Sequence, residues 1–488
     1  MNVILTLSEC EAEGTVRGGG SQQAPFRAAR PHRWFAALTM TVVTAAAFAQ
    51  QTTPPPPAPP RPIAWPAITE KKLDNGLTLV LAPLPSVPKI DVELVMLGGQ
   101  GTGVAQLAGR IALEGTATRT SKQLKEELRS IGGAMSANVD HDATSISASS
   151  LSEFSPRLLE LLSDVARNAS YPKNEVDLAK TNFASEIEEE RALPDFVAAE
   201  QMAKAIFGAH PYGFTVPDPA AIGKITREQL KQFAAANYLP NNSYLIVVGD
   251  FAPAAMTASA EKAFGDWKRG IVAEAKMAAP VKRQKRQIIF VDRPGSVQST
   301  IVIGALAPPR KSDDYLALRT ASTIFGGAFY SRLTRNIRES KGYTYSPSSS
   351  ADLRRLAGSF YADASVRNEV TGPTILEILY ELDRMRVAPV TDEELASAKR
   401  YSVGTMELEI ETQAGLAQRI ATIYKYDLKH DFLQTFREGI NKLTAADIER
   451  ASAKYFDTYR GAIVIVGDYG QVKDQVAPFG DVALVKVK

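Results

Sequence analysis

The chain has 488 residues, 45% of them hydrophobic and 23% charged, the size and balance of a globular protein with two or three folded units. Its formal net charge is +2, so bulk electrostatics draws it neither to nucleic acid nor to anionic membranes. A partner must be recognised through shape and backbone.

At the N-terminus, Arg27, Arg30, His32 and Arg33 lead into an apolar stretch from Trp34 to Ala47, and Ala47-Phe48-Ala49 places small residues at a cleavage spacing. Residues 1–49 are read as a secretory signal peptide, because the apolar stretch is shorter than the roughly 20 residues that span a bilayer. The chain is therefore expected to be exported to the periplasm or the cell exterior, with no membrane span. Cleavage after Ala49 removes Cys10, the only cysteine, which excludes thiol redox chemistry, disulfides and thiolate metal sites. Prolines at 54–57, 59, 60 and 62 make residues 50–65 a polyproline-II linker that cannot pack a core, so folding is expected to begin near Pro66.

An internal repeat then sets the architecture. Ile225-Thr226, Leu230, Tyr238 and Leu245–Phe251 (LIVVGDF) recur 218 positions later as Leu443-Thr444, Ile448, Phe456 and Ile463–Tyr469 (IVIVGDY). Each copy predicts a Thr-capped helix followed by a short strand ending at Gly-Asp. The front edges match as well: Leu77–Leu81 and Val92–Leu97 resemble Ile288–Val291 and Thr300–Ile303. The predicted fold class is α+β, with two homologous domains at 66–267 and 287–488. Each is a largely antiparallel sheet with helices packed on one face. Between them, 268–286 carries Lys268, Arg269, Lys276, Lys282, Arg283, Lys285 and Arg286 with few large apolar residues, the pattern of an exposed linker. Without interleaved aromatics this basic run does not read as a nucleic-acid patch.

Several stretches together resemble the insulinase and pitrilysin superfamily, the inverted-zincin peptidases that include the mitochondrial processing peptidase. They are LDNGLTLVL (73–81), GGAMSANVDHDAT (132–144), HPYG (210–213), ITREQL with NYLPNNSYLIVVGD (225–250) and SRLTRNIRESKGYTYS (331–346). The resemblance implies a two-domain α+β half clamshell that pairs with a second such chain around a chamber. Active members carry H-x-x-E-H on a helix, with a third ligand, a Glu, further along: two His at i and i+4 hold zinc and the Glu between them acts as general base. Aligning GVAQLAGRIALEGT (103–116) on that helix puts Gln106 and Arg110 at the His positions and Gly109 at the base. Gln is a poor zinc ligand, Gly has no side chain, and Arg is a fixed cation. No catalytic residue and no metal site is therefore expected in this chain, and any zinc is expected in a partner subunit.

The third-ligand position survives as Glu186, 76 positions after Arg110, while Ala179 replaces a second carboxylate. Glu186 is either part of a solvated acidic face with Glu188, Glu189 and Glu190 or the ion-pair partner of Arg110. The remaining histidines, His141 in an expected exposed turn or edge strand, His210 in the HPYG turn and His430 on the surface, stand at no ligand spacing. Gly98–Gly103 follows a strand and opens a helix, but its glycines do not fit a nucleotide-binding motif and no Lys completes a phosphate loop.

Arg338 and Tyr345 match a pair that, in relatives, faces the zinc site from the opposite domain and hydrogen-bonds the carbonyl under attack. A guanidinium and a phenol are suitable donors for that task. Asn138 and Thr144 fall on positions that match a peptide-binding edge strand, where a substrate adds as an extra strand; an ordinary solvent-facing strand explains them equally well. The resemblance implies a non-catalytic, peptide-binding subunit of a secreted heterodimeric zinc metallopeptidase. It would supply Arg338 and Tyr345 to a homologous zinc-bearing partner acting on unfolded peptides. The alternative is a peptide-binding or scaffold protein with no peptidase role.

Overall fold

The structure is a computed structural model that describes residues 62–98, 103–272, 277–457 and 459–486. The expected signal peptide and all but the last residues of the Pro-rich linker lie outside the described residues. The chain divides into Met1–Ile63 and a second unit, Ala64–Lys488, which holds every element considered below. Among the described residues no helix is long and apolar enough to cross a membrane.

Two six-stranded sheets form the frame. The first contains β1 (Thr69–Lys72), β2 (Thr78–Pro83), β3 (Lys89–Leu97), β4 (Ala134–Val139), β5 (Ala143–Leu151) and β6 (Ser243–Gly249), in the order β1-β2-β6-β3-β5-β4. The second contains β7 (Gln287–Asp292), β8 (Gln298–Ala307), β9 (Ser348–Leu353), β10 (Gly358–Arg367), β11 (Ala462–Gly467) and β12 (Val482–Lys486), in the order β12-β7-β11-β8-β10-β9. Pairing is antiparallel except where β6 lies beside β2, β11 beside β7 and β12 beside β7. These parallel pairs arise because the last strand of each repeat returns through helices to the strand that opened it.

The repeat seen in the sequence is repeated in detail. Thr226 caps the helix Arg227–Asn237 in a capping box with Gln229, and Thr444 caps Ala445–Tyr455 in a capping box with Asp447. Each box satisfies backbone donors that the first helical turn leaves open. The strand after each helix ends in Gly-Asp. At Gly249, φ is +146° and a Cβ would stand 2.3 Å from the Lys89 carbonyl oxygen, so only glycine passes.

The second sheet alternates apolar residues to both faces. In the second sheet Ile288, Phe290, Ile463 and Ile465 point into a core built with the helices of the second half. Their neighbours Ile289, Val291, Val464 and Val466 point the other way, where Val197, Met202, Ile206 and Phe207 cover them. Those four belong to the helix Pro194–Phe207, which comes from the first half. The exchange is mutual, because the helix Gln413–Lys425 of the second half packs on β3 and β6 of the first sheet. There Gln413 donates to the carbonyls of Leu84 and Val87 at 2.8 and 3.1 Å, and the Tyr424 ring lies 5.1 Å from Tyr244. Each sheet thus has its own helices on one face and a borrowed helix on the other.

The turn between β4 and β5 joins the two halves. Asp140 pairs with Lys425 of the borrowed helix. Asp142 accepts from the Tyr212 hydroxyl and from the Arg355 amide, the latter at 3.1 Å. His141, expected in an exposed turn, is instead partly buried between halves: Arg354 Nη1 donates to its Nδ1 at 3.1 Å and its Nε2 donates to the Phe214 carbonyl at 2.7 Å. That geometry requires a neutral ring, because Nδ1 must accept. Burial is the main reason its pKa is lowered, Arg354 adds to the effect, and Phe214, Asp140 and Asp142 oppose it. His210, 4.5 Å from the Tyr212 ring, is also lowered, chiefly by burial.

Two outcomes are expected. Phe207→Ala removes a buried ring from the borrowed face and should cost about 3–5 kcal/mol in denaturant unfolding; a loss below about 1 kcal/mol would mean that this face contributes little. Because His141 is held neutral, the unfolded chain binds a proton that the folded chain refuses, so stability is present above the ordinary histidine pKa of about 6.5 and lost as pH falls below it. His141→Gln, which can still accept from Arg354 and donate to Phe214, should flatten part of that slope in melting curves. An unchanged slope would assign it to other groups.

Candidate functional site

The helix Gly103–Ile111 carries Gln106, Gly109 and Arg110, the positions that the sequence resemblance aligns with H-x-x-E-H. Gln106 and Arg110, one turn apart, lie on one face of it. Gln106 Nε2 reaches the Thr215 carbonyl at 3.5 Å, and its buried Oε1 has no hydrogen-bond partner. Gly109 is pressed against the edge strand: a Cβ there would meet Val139 Cγ2 at 2.3 Å, so Val139 fills the space into which a base at this position would extend. Arg110 and Glu186 come together, Nη1 to Oε2 at 2.6 Å, with both side chains about half exposed at 45% and 49%. The Arg110 guanidinium also lies 4.2 Å from the centre of the Phe183 ring. Glu186 and Phe183 stand on the helix Lys173–Ala192, where Ala179 packs against the core formed by these helices.

Zinc does not fit this set. It needs three or four donors of N, O or S type, whereas these positions provide one carboxylate, already engaged by a guanidinium, and one amide. No group of three or more His, Cys, Asp or Glu lies at metal-holding distance among the described residues. His210 accepts from the Tyr212 amide within its own turn, and exposed His430 lies 3.6 Å from Glu70.

The second half brings Arg338 and Tyr345 together. Arg338 stands on the π-helical segment Thr334–Ser340, and the motif around it divides its labour. Leu333 and Ile337 are buried in the second core. Arg332 donates twice to Glu394, at 2.7 and 3.0 Å, and Asn336 reaches Glu377 and Glu381 at 2.9 and 3.0 Å. Burial alone would raise the Glu394 pKa, but the Arg332 bonds and the Thr391 cap bring it down to about 2, so this anchor stays ionised. With the segment fixed on its inner side, Arg338 faces outward. Its guanidinium carbon lies 4.0 Å from the Tyr345 ring centre and 4.9 Å from that of Phe329. Tyr345 is 75% exposed, Tyr330 70% and Phe329 57%. No carboxylate among the described residues pairs with Arg338, whose hydrogen-bond donors remain available.

A groove of about 460 Å³ begins at Tyr345 and runs along Gly342–Ser346 to Asp195, Asp363 and Ser365. The same three residues border a cavity of about 330 Å³ floored by Met202, Ile206, Phe207 and Val302. Asp195 accepts from Thr300 and Ser365 at 2.8 and 3.1 Å. Burial pushes the Asp363 carboxyl up, the Ser348 hydroxyl at 2.7 Å moderates the shift, and neighbouring Asp195 adds to it. Tyr345 apart, these groove residues carried no signal of their own in the sequence, because Asp195 and Asp363 lie far apart in the chain and meet only through the borrowed helix.

The remaining candidates separate. Asn138 is exposed on β4, which is the edge of the first sheet and has β5 on one side only. Thr144 belongs to β5, between β3 and β4, and is 1% exposed. It cannot meet a strand added at the edge, because β4 intervenes. No described contact joins the Arg110–Glu186 pair to the Arg338–Tyr345 stack.

An ion pair this exposed is weak, since solvent screens it and both side chains lose freedom. Arg110→Ala should therefore cost about 1 kcal/mol in urea unfolding, counting the Phe183 stacking. A loss above about 3 kcal/mol would show that the pair holds the two helices together.

Comparisons with known proteins match the two halves in order. The description "Insulinase (Peptidase family M16)" matches residues 100–220, and "Peptidase M16 inactive domain" matches 224–401. An uncharacterized zinc protease of Rickettsia felis is 26% identical over 402 residues, covering 81% of this chain and 96% of that protein. The mitochondrial-processing peptidase subunit beta of Saccharomyces cerevisiae is 25% identical over 207 residues, 41% of this chain and 45% of that one. Among solved structures, a peptidase M16 inactive domain from Pseudomonas fluorescens superposes with a TM-score of 0.77 at 24% identity, covering 82% of this chain and 98% of that one. A protease from Helicobacter pylori superposes with a TM-score of 0.78 at 19% identity, covering 83% and 100%. Two homologous α+β halves, matched in order by the two descriptions, place this chain in the insulinase (M16) peptidase family.

Proposed function

We propose that this chain is a non-catalytic, peptide-holding subunit of an exported heterodimeric insulinase-family metallopeptidase, and that a homologous partner carries the zinc. The observation that carries this reading is an asymmetry. The positions for metal chemistry hold Gln106, Gly109 and Arg110, with Val139 against Gly109, while the opposite half keeps an anchored Arg338 beside an exposed Tyr345. Chemistry has been lost and a pair of donors has been kept.

The retained pair is suited to a peptide. Arg338 offers several N–H donors in one plane and Tyr345 offers an O–H, and both can donate to a backbone carbonyl oxygen of an extended chain. Backbone recognition of this kind needs no particular side chain, in keeping with a subunit that handles unfolded peptides of varied sequence. Exposed Asn138 on the β4 edge is a second place where a peptide can pair through its main chain. Export rests on the basic, apolar and small-residue order of 27–49.

The test is to co-express the chain with a homologous subunit bearing H-x-x-E-H and to measure cleavage of unstructured peptides. Arg338→Ala and Tyr345→Phe in this chain are each expected to lower kcat/KM of the pair at least about tenfold, equivalent to about 1.4 kcal/mol. Unchanged turnover in both variants would remove the clamp, and a pair that binds peptide without cutting it would point to a binding or scaffold role.

A further inference from the structure

The motif GGAFYSRL places two large aromatics, Phe329 and Tyr330, at a surface turn directly before the anchored segment. Burial does not account for them, since they are 57% and 70% exposed. Single exposed apolar residues are ordinary, but here two exposed rings flank one guanidinium and a third packs on one of them. Tyr330 meets Phe329 edge to face at 5.3 Å, Phe329 lies 4.9 Å from Arg338, and Arg338 lies 4.0 Å from Tyr345.

We propose that Phe329 is a positioning residue of the clamp, holding the Arg338 guanidinium against Tyr345 so that its in-plane N–H edge is aimed at the peptide before the peptide arrives. This inference rests on the peptide-holding role proposed above. An arginine side chain is long and flexible, and an unpaired one at a surface samples many rotamers. Among the described residues no carboxylate fixes Arg338, so aromatic stacking is what orders it. Rings attract a guanidinium through its faces, whereas its hydrogen bonds leave through its edge. Two rings can therefore hold Arg338 without consuming the donors a carbonyl needs, which a carboxylate could not do. Ordering the group in advance also lowers the entropy that binding must overcome. Tyr330, packed on Phe329, steadies the ring that faces Arg338.

The test uses the full chain and a fluorescein-labelled, unstructured peptide with blocked termini, with affinity read by fluorescence anisotropy. Phe329→Leu keeps an apolar side chain but removes the ring quadrupole; it should weaken binding about two- to fivefold. Phe329→Trp, which keeps a ring, should retain it. In combination with Arg338→Ala, Phe329→Leu should add nothing further, because it acts through the arginine. If Arg338→Ala weakens binding while Phe329→Leu does not, or if the two losses add, the positioning role falls and the clamp stands. If Trp fails as Leu does, the ring is not acting on the guanidinium and the inference falls. Unchanged affinity in Arg338→Ala would overturn both the clamp and the positioning role of Phe329.

Discussion

The second sheet of this protein is apolar on both faces, the first is apolar on one and mixed on the other, with Asp91 and Glu93 buried there, and each half brings enough helices to cover only one. Ile288 and Phe290 face the helices of their own half, while Ile289 and Val291 would meet water unless another layer arrived. At about 25 cal/mol per Å² of apolar surface, an uncovered sheet face is a large loss for any domain. The exchange of Pro194–Phe207 for Gln413–Lys425 removes it for both halves at once. Neither half can keep both of its sheet faces dry alone, and Ala64–Lys488 is accordingly one compact unit despite its internal repeat.

That constraint organises the grooves and turns between the halves. The borrowed helix begins at Pro194-Asp195, so packing it on β8 and β11 carries Asp195 to Thr300, Ser365 and Asp363 and builds the groove beside Tyr345. The turn Asp140-His141-Asp142 is fixed by Lys425, Arg354, Arg355 and Tyr212, all outside its own sheet. A groove formed between elements of two halves depends on both for its shape. The shape of the groove and the stability of the joint are therefore coupled.

The two halves have diverged in opposite directions around this shared frame. In the first, the positions aligned with H-x-x-E-H hold an exposed salt bridge with a stacked arginine, and Val139 of the edge strand packs on Gly109. In the second, the inward residues of the signature are all engaged: Arg332 is tied to Glu394, Asn336 to Glu377 and Glu381, and Leu333 and Ile337 are in the core. Arg338 is left facing out, with rings around it and no counter-ion among the described residues. An arginine held by rings, with its hydrogen-bond donors unspent, is the physical basis for proposing the second half as the working face.

The sequence by itself determined the elements and their order. Alternation wrote the strands, Thr226 and Thr444 with their box partners wrote two helix starts, and the LIVVGD and IVIVGD copies wrote the duplication, because these are local rules of period and capping. Donor chemistry alone also made Gln106, Gly109 and Arg110 a poor set for zinc at the sequence level. Tertiary structure decided the rest, for the reason that contact across more than a hundred residues leaves no local trace. It moved Thr144 inside the sheet, turned His141 from a surface residue into a joint between halves, gave Arg110 its partner from the two alternatives Glu186 allowed, and set Phe329 beside Arg338. Which helix covers which face depends on the geometry of the whole unit, and with it the shape of the groove at Tyr345.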